Sequence, residues 1–433
     1  VLSLNWNRFT ILDCPATAGR DRRLYVGESS TPGSFGPSVL TVKGDGLRAG
    51  ALLVLITAFC GVGVVEAVVR RAGWTIGSSG ALRLLPKVLE HAGAIMVALV
   101  AYAVPARRLS RVLAAFCVLL LGALAAYGGT AGPWSLPLSV LIGALDVCVW
   151  ALLLNGLLGL DSRLAAAALL LTVIASNITQ LLFSGLGSGL GVTAALHLVG
   201  ACASALVLGL SFAFRPQPSE IGAPDGETIP GRRIALLCAS SFVIKLASSA
   251  MSLARLPHDL GKAAVLALEI AAMLLGPLCL LAVSAWLAFR QKPTRALMLA
   301  GASIFIGATL TTGYLVSGAW FSAVASLGRG LVNAAATLLL FSAATLVPSR
   351  HLPLLLAVWF LPNFVAGRLS DAAFDWSREG AGRPFLVTTA GIVLTLVSAV
   401  SLLKSELKAQ RAGHRPAVQV GPRPTSRDRG AHQ

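Results

Sequence analysis

The chain has 433 residues, 56% of them hydrophobic and 12% charged, and a mean hydropathy of +0.78. Soluble domains are about a quarter charged, so this composition excludes an ordinary water-soluble enzyme or binding module. The net charge of +17 does not point to nucleic acid, because most basic residues sit in tails and short loops beside apolar runs, the pattern of a membrane protein's orienting charges.

Residues 1–49 are polar, rich in Gly, Ser and Arg, and lack an apolar core. They read either as a disordered tail or as upstream sequence foreign to the native protein. Six apolar runs follow, at about 50–69, 88–104, 111–128, 136–158, 164–185 and 192–214. The Pro-, Gly- and acid-containing stretch 215–233 predicts a flexible connector. Six more runs lie at about 234–254, 263–289, 295–315, 319–346, 352–369 and 384–403. Most approach the roughly 20 residues that a helix needs to cross a bilayer core. They lack the alternation of barrel strands, and only helices or closed barrels satisfy their backbone in lipid. The expectation is an all-α polytopic bundle of about twelve transmembrane helices, in halves 50–214 and 234–404. A basic tail, 405–433, closes the chain.

The halves echo one another. Leu89-Glu90 reappears as Leu268-Glu269, the basic turn at Arg107–Arg111 as Arg290–Arg295, and Asn177 as Asn363. Offsets between landmarks stay near 180 to 187 residues. Two six-span halves in the same orientation are parallel repeats about an axis along the membrane normal. In this topology residues 50–404 resemble the major facilitator superfamily. That family carries a G-x-L-x-D-[RK]-x-G-[RK] type motif after its second span. Here Pro105–Arg111 keeps the basic residues but lacks the Gly and the Asp, and the similar string Gly367–Asp371 falls at the end of span eleven. The side bearing both termini carries 24 Lys and Arg against nine in the opposite loops. Both termini are therefore expected in the cytoplasm, with the chain in a bacterial type of inner membrane.

Intramembrane charges are costly and mark candidate functional positions. Asp146, Lys245 and Arg329 each fall near the middle of a span, in spans four, seven and ten. The resemblance implies that these spans, with the first, line a central cavity. Lys245 and Arg329 are then expected to attract an anionic or polar solute, with Asn333 as a further contact and Asp146 as counter-ion or proton carrier. A buried ion pair joining the halves is the alternative reading of the same charges. Glu269, near the outer end of span eight, is a second candidate for proton coupling. Asn155, Asn177, Gln180 and Asn363 read as interhelical hydrogen-bonding residues. The glycine run Gly185, Gly187, Gly189 and Gly191 has neither the strand nor the Lys-Ser/Thr of a phosphate loop and reads as a turn. Six of the seven cysteines lie in apolar runs without C-x-x-C spacing. Neither a metal, a cofactor nor a catalytic constellation is expected, so the chain does not read as an enzyme.

Two functions fit. One is a monomeric secondary transporter for a small solute. The other is a non-transporting sensor of the kind that precedes a LuxR-type helix-turn-helix domain. The tail after Leu403 turns Pro-, Arg- and Gly-rich and has no room for such a domain, which favours the transporter.

Overall fold

The computed structural model of the chain describes residues 85–127, 135–158, 165–176, 231–253, 262–290, 294–315, 319–361, 365 and 383–413. Every regular element among them is helical. In chain order the α-helices are α1 Leu85–Ala103, α2 Ala106–Tyr127, α3 Ser135–Leu158, α4 Ala165–Ser176 and α5 Gly231–Leu253. Then come α6 Lys262–Phe289, α7 Thr294–Leu315, α8 Ala319–Ala344, α9 Leu352–Leu361 and α10 Arg383–Gly413. These fall on ten of the twelve expected spans. The first and sixth spans, residues 215–230 of the expected connector, the N-terminal tail, Asn177, Gln180 and Asn363 lie outside the described residues; the last three connector residues, 231–233, are not linker but the first turn of α5.

Local chemistry explains the boundaries. Pro105 separates α1 from α2: it disfavours a helical residue before it and opens the next helix, where Arg108 N–H donates to its carbonyl at 2.8 Å. At the other end of the chain, α10 runs ten residues past the expected end of span twelve. Its extension, Lys404 to Gly413, is built mostly from good helix formers. Two contacts hold it: Arg233 Nη1 donates to Ser405 Oγ at 3.0 Å, and Arg295 Nε lies 3.6 Å from Glu406 Oε1.

The packing repeats between the halves. In the first half α3 lies against α1 and α2; in the second, α8 lies against α6 and α7. Both α1–α3 and α6–α8 cross at glycines. A Cβ on Gly93 would overlap the Val140 carbonyl oxygen, and one on Gly143 would overlap that of Glu90. On α6, a Cβ at Gly276 would come within 2.8 Å of Leu331 N. Small residues are what lets membrane helices approach this closely. In addition, α5 packs on α8 and α10, and α10 packs on α7.

The buried cluster, which draws on both halves, is dominated by Leu and Ala. The outer surface is apolar too: Leu119 is 70% exposed, Leu99 68%, Ile304 61% and Trp286 57%. In water such a belt would be an aggregation surface; against lipid it is the expected exterior of a multi-pass protein. Buried hydroxyls mostly satisfy themselves within their own helix. Thr172, Ser303, Ser342, Thr395 and Ser398 each donate to the carbonyl four residues earlier, at 2.6–2.9 Å. Lipid offers no alternative partner.

Candidate functional site

Helix α3 is apolar on every side and mostly buried, and Asp146 interrupts it eleven residues after Ser135. At 1.5 Å per residue that is about 17 Å from either end. Asp146 is half-buried and engaged in a polar or electrostatic contact. On α5, Lys245 is half-buried and makes no hydrogen bond or ion pair among the described residues. Lys245 is therefore not the ion-pair partner of Asp146. Arg329 occupies a mid-helix position on α8, and Asn333 follows one turn later. The Asn333 backbone carbonyl accepts from Thr337 Oγ1 at 2.7 Å. Its half-buried carboxamide has no hydrogen bond among the described residues. Since α5 and α8 pack together, Lys245 and the Arg329–Asn333 turn lie on touching helices. Helix α3 packs instead on its own half. Glu269 lies in the first third of α6, apart from these positions along its helix.

One residue escaped the sequence reading. Ser241, one turn before Lys245, is 2% exposed, and its hydroxyl has no hydrogen-bond partner. Most other buried hydroxyls bond back along their helix; Ser240 does so, to Leu236 at 2.8 Å, and also meets Ser398 across the α5–α10 contact at 2.9 Å. An unmade hydrogen bond on a buried group costs about 1–3 kcal/mol. The Ser-x-x-x-Lys spacing, which stacks the hydroxyl and the amine on one helix face, was the available signal. Asn155, by contrast, serves packing: its Nδ2 donates to Ser110 Oγ at 3.1 Å, tying α3 to α2. The second half has a counterpart, where Arg295 Nη1 donates to Thr345 Oγ1 at 3.1 Å and so joins α7 to the end of α8.

Beyond the ends of these helices, the Ser349–His351 turn between α8 and α9 packs against α1 and α2, so it bridges the halves. The His351 ring is buried, with its centroid 5.4 Å from that of Tyr102 and the planes tilted by 52°. Its Nε2 accepts from Arg350 Nε at 3.1 Å. Burial, and then the Arg350 charge, hold the imidazole below its ordinary pKa.

A multi-pass bundle with two like-packed halves defines the class of fold: that of the major facilitator transporters. Comparison with solved structures bears this out. The chain superposes on FucP, a major facilitator transporter in the outward conformation, with a TM-score of 0.59 at 10% identity, covering 81% of this chain and 98% of that one. A second FucP structure is described as the Escherichia coli fucose:proton symporter. A bacterial homologue of the iron transporter ferroportin, outward-facing, matches with a TM-score of 0.57 at 15% identity over 83% of this chain and 99% of that one. The human organic anion transporter TETRAN matches with a TM-score of 0.54 at 12% identity, over 82% and 99%. These neighbours are transporters, not enzymes. No protein-family model matches the chain, and no curated protein matches it by sequence.

Proposed function

We propose that this chain is a secondary transporter that moves a small polar or anionic solute by alternating access of its two halves. The observation that carries the reading is a pair of groups on one face of α5 without partners among the described residues, the Ser241 hydroxyl and, one turn deeper, the Lys245 amine. A lone ammonium at bilayer depth costs about 2.5–3.5 kcal/mol on insertion scales. A bound carboxylate or similar anion supplies the missing partner to both groups. Arg329 and Asn333, on the helix packed beside α5, complete the same binding region. Asp146 acts as counter-ion or proton carrier, and Glu269 takes up a proton nearer the outer face. The fold neighbours support a transporter, and two of them are described as a proton symporter and an organic anion transporter. The protein acts as a monomer in an inner membrane, with both termini in the cytoplasm.

The test is uptake into proteoliposomes of radiolabelled carboxylates, sugar acids and neutral sugars, by the wild type and by Lys245→Ala. Saturable uptake of an anion, reduced about tenfold or more by Lys245→Ala, is expected; a tenfold loss corresponds to about 1.4 kcal/mol of binding. Equal uptake by the two proteins would refute the assignment. The departure of Pro105–Arg111 from the family motif favours a second reading, a sensor that binds the solute without moving it. In that case solute binding depends on Lys245 but no flux develops.

A further inference from the structure

We propose that the Ser349–His351 turn is a pH-responsive latch. It holds the two halves together at the face carrying the α1–α2 and α8–α9 connections while His351 is neutral, and releases them when His351 gains a proton.

The geometry supplies the contact. The turn belongs to the second half, yet it packs on both α1 and α2 of the first, with Tyr102 against the His351 ring. The turn therefore joins the two halves directly. If the halves rock about a central site, a contact at one face must break in every cycle.

The chemistry supplies the trigger. Accepting the Arg350 N–H requires a lone pair on His351 Nε2, which only the neutral ring has. Protonation removes that acceptor and sets a second cation against the guanidinium. Nothing nearby among the described residues offsets this. Arg350 comes from the turn itself and is the charge that acts on the ring, and Tyr102 comes from α1. No carboxylate occurs in α2, α8, α9 or the connection 345–351. The nearest on α1 is Glu90, twelve residues from Tyr102, or about 18 Å along the helix. The Tyr102 ring is exposed, so its attraction for an imidazolium is screened and does not offset the Arg350 guanidinium.

The sign follows from the closed-state shift. Burial and Arg350 lower the His351 pKa when the turn is docked, and separation of the halves returns it toward the ordinary value of about 6.5. The closed arrangement is therefore fully favoured above that value and weakens as the pH falls from there toward the docked value. One proton limits the change in the closed-to-open ratio to about tenfold per pH unit.

The experiment is a pulsed-EPR distance measurement on the full chain in nanodiscs. Spin labels are attached through ketone-bearing unnatural residues at the exposed positions Ala103 on α1 and Leu354 on α9, which leaves the native cysteines untouched. Between pH 8 and pH 5 the short-distance fraction of the wild type is expected to fall, beginning near pH 6.5. His351→Gln, which cannot be protonated, is expected to give a flat profile, and His351→Arg a separated pair even at pH 8. A wild-type profile independent of pH, a His351→Gln profile that still titrates, or a docked His351→Arg would each overturn the proposal. If His351→Gln does not fold, His351→Phe fills the same slot without a titrating group and must be flat.

Discussion

Replacing Gly143 with alanine tests the scaffold that carries Asp146, which follows it by three residues on α3. The added Cβ would overlap the Glu90 carbonyl oxygen and lie 2.7 Å from Glu90 Cα. Carbon atoms in contact sit about 3.5–4.0 Å apart, so α1 and α3 must part by about 1 Å. Ala94, Val97, Ala144 and Val147, all buried near this crossing, then lose part of their packing. A radial gap of about 0.5–1 Å forfeits a quarter to a half of each contact. Overpacking of this kind costs about 1–3 kcal/mol, against a gain of up to about 1 kcal/mol for Ala over Gly within a helix. The net expectation is a loss of about 1–2 kcal/mol. Gly122 on α2 provides the control, since a Cβ there meets nothing within 4 Å; Gly122→Ala is expected to be neutral or stabilising. Both effects can be read from reversible unfolding in mixed detergent micelles, followed by tryptophan fluorescence. A Gly143→Ala protein as stable as Gly122→Ala would show that the close α1–α3 crossing is not a real constraint.

Ser241→Ala removes a hydroxyl that has no partner. Its stability is therefore expected to hold or rise by up to about 1 kcal/mol, while solute affinity falls several-fold; a stability loss with unchanged affinity would contradict the site. Ser398→Ala breaks the 2.9 Å link to Ser240 but leaves Ser240 bonded to Leu236. A cost near 0.6 kcal/mol is expected, the average for such interhelical bonds, measured by the same micelle unfolding. For Arg295 and Glu406, whose side chains are 22% and 24% exposed, a double-mutant cycle is expected to give a coupling of about 0.2–1 kcal/mol. Arg295→Ala alone should cost more than that coupling, because it also loses the hydrogen bond to Thr345 and the position over the Phe341 ring, 5.9 Å from its centroid.

Much of this architecture is legible because membrane helices announce themselves by length and composition. The apolar runs and the recurring landmarks near 180 to 187 residues led directly to two like halves. What periodicity does not reveal is which side chains are left without partners. Ser240 and Ser241 are adjacent and chemically identical, yet one has hydrogen-bonding partners on its own helix and on α10 and the other has none among the described residues. That difference depends on the helix each one faces, a fact of packing and not of sequence. The His351 contact was hidden for a related reason. Nothing in the sequence brings Tyr102 to a residue 249 positions away, because the two halves are related by docking and not by repeat.

The crossing glycines sharpen the meaning of the repeat. On the α1–α6 pair, Gly93 and Gly276 stand 183 residues apart, whereas on the α3–α8 pair Gly143 and Gly330 stand 187 apart. The difference of four residues is about one helical turn, so it changes the connections without turning either helix away from its neighbour. In that register Asp146, three residues after Gly143, corresponds to Asn333, three residues after Gly330. The halves thus keep the glycine that sets how closely their helices cross, and exchange a carboxylate for a carboxamide one turn beyond it. A carboxyl group in one half thus stands at the register position of an amide in the other. Arg329, just before the glycine, gives the second half a charge of the opposite sign. A purely structural ion pair would need one cation for Asp146. The chain instead places two mid-span basic residues and an amide on α5 and α8, and one of those cations, Lys245, has no ion-pair partner among the described residues. An excess of mid-span positive charge over the internal acid is the basis of the anion-binding site proposed above.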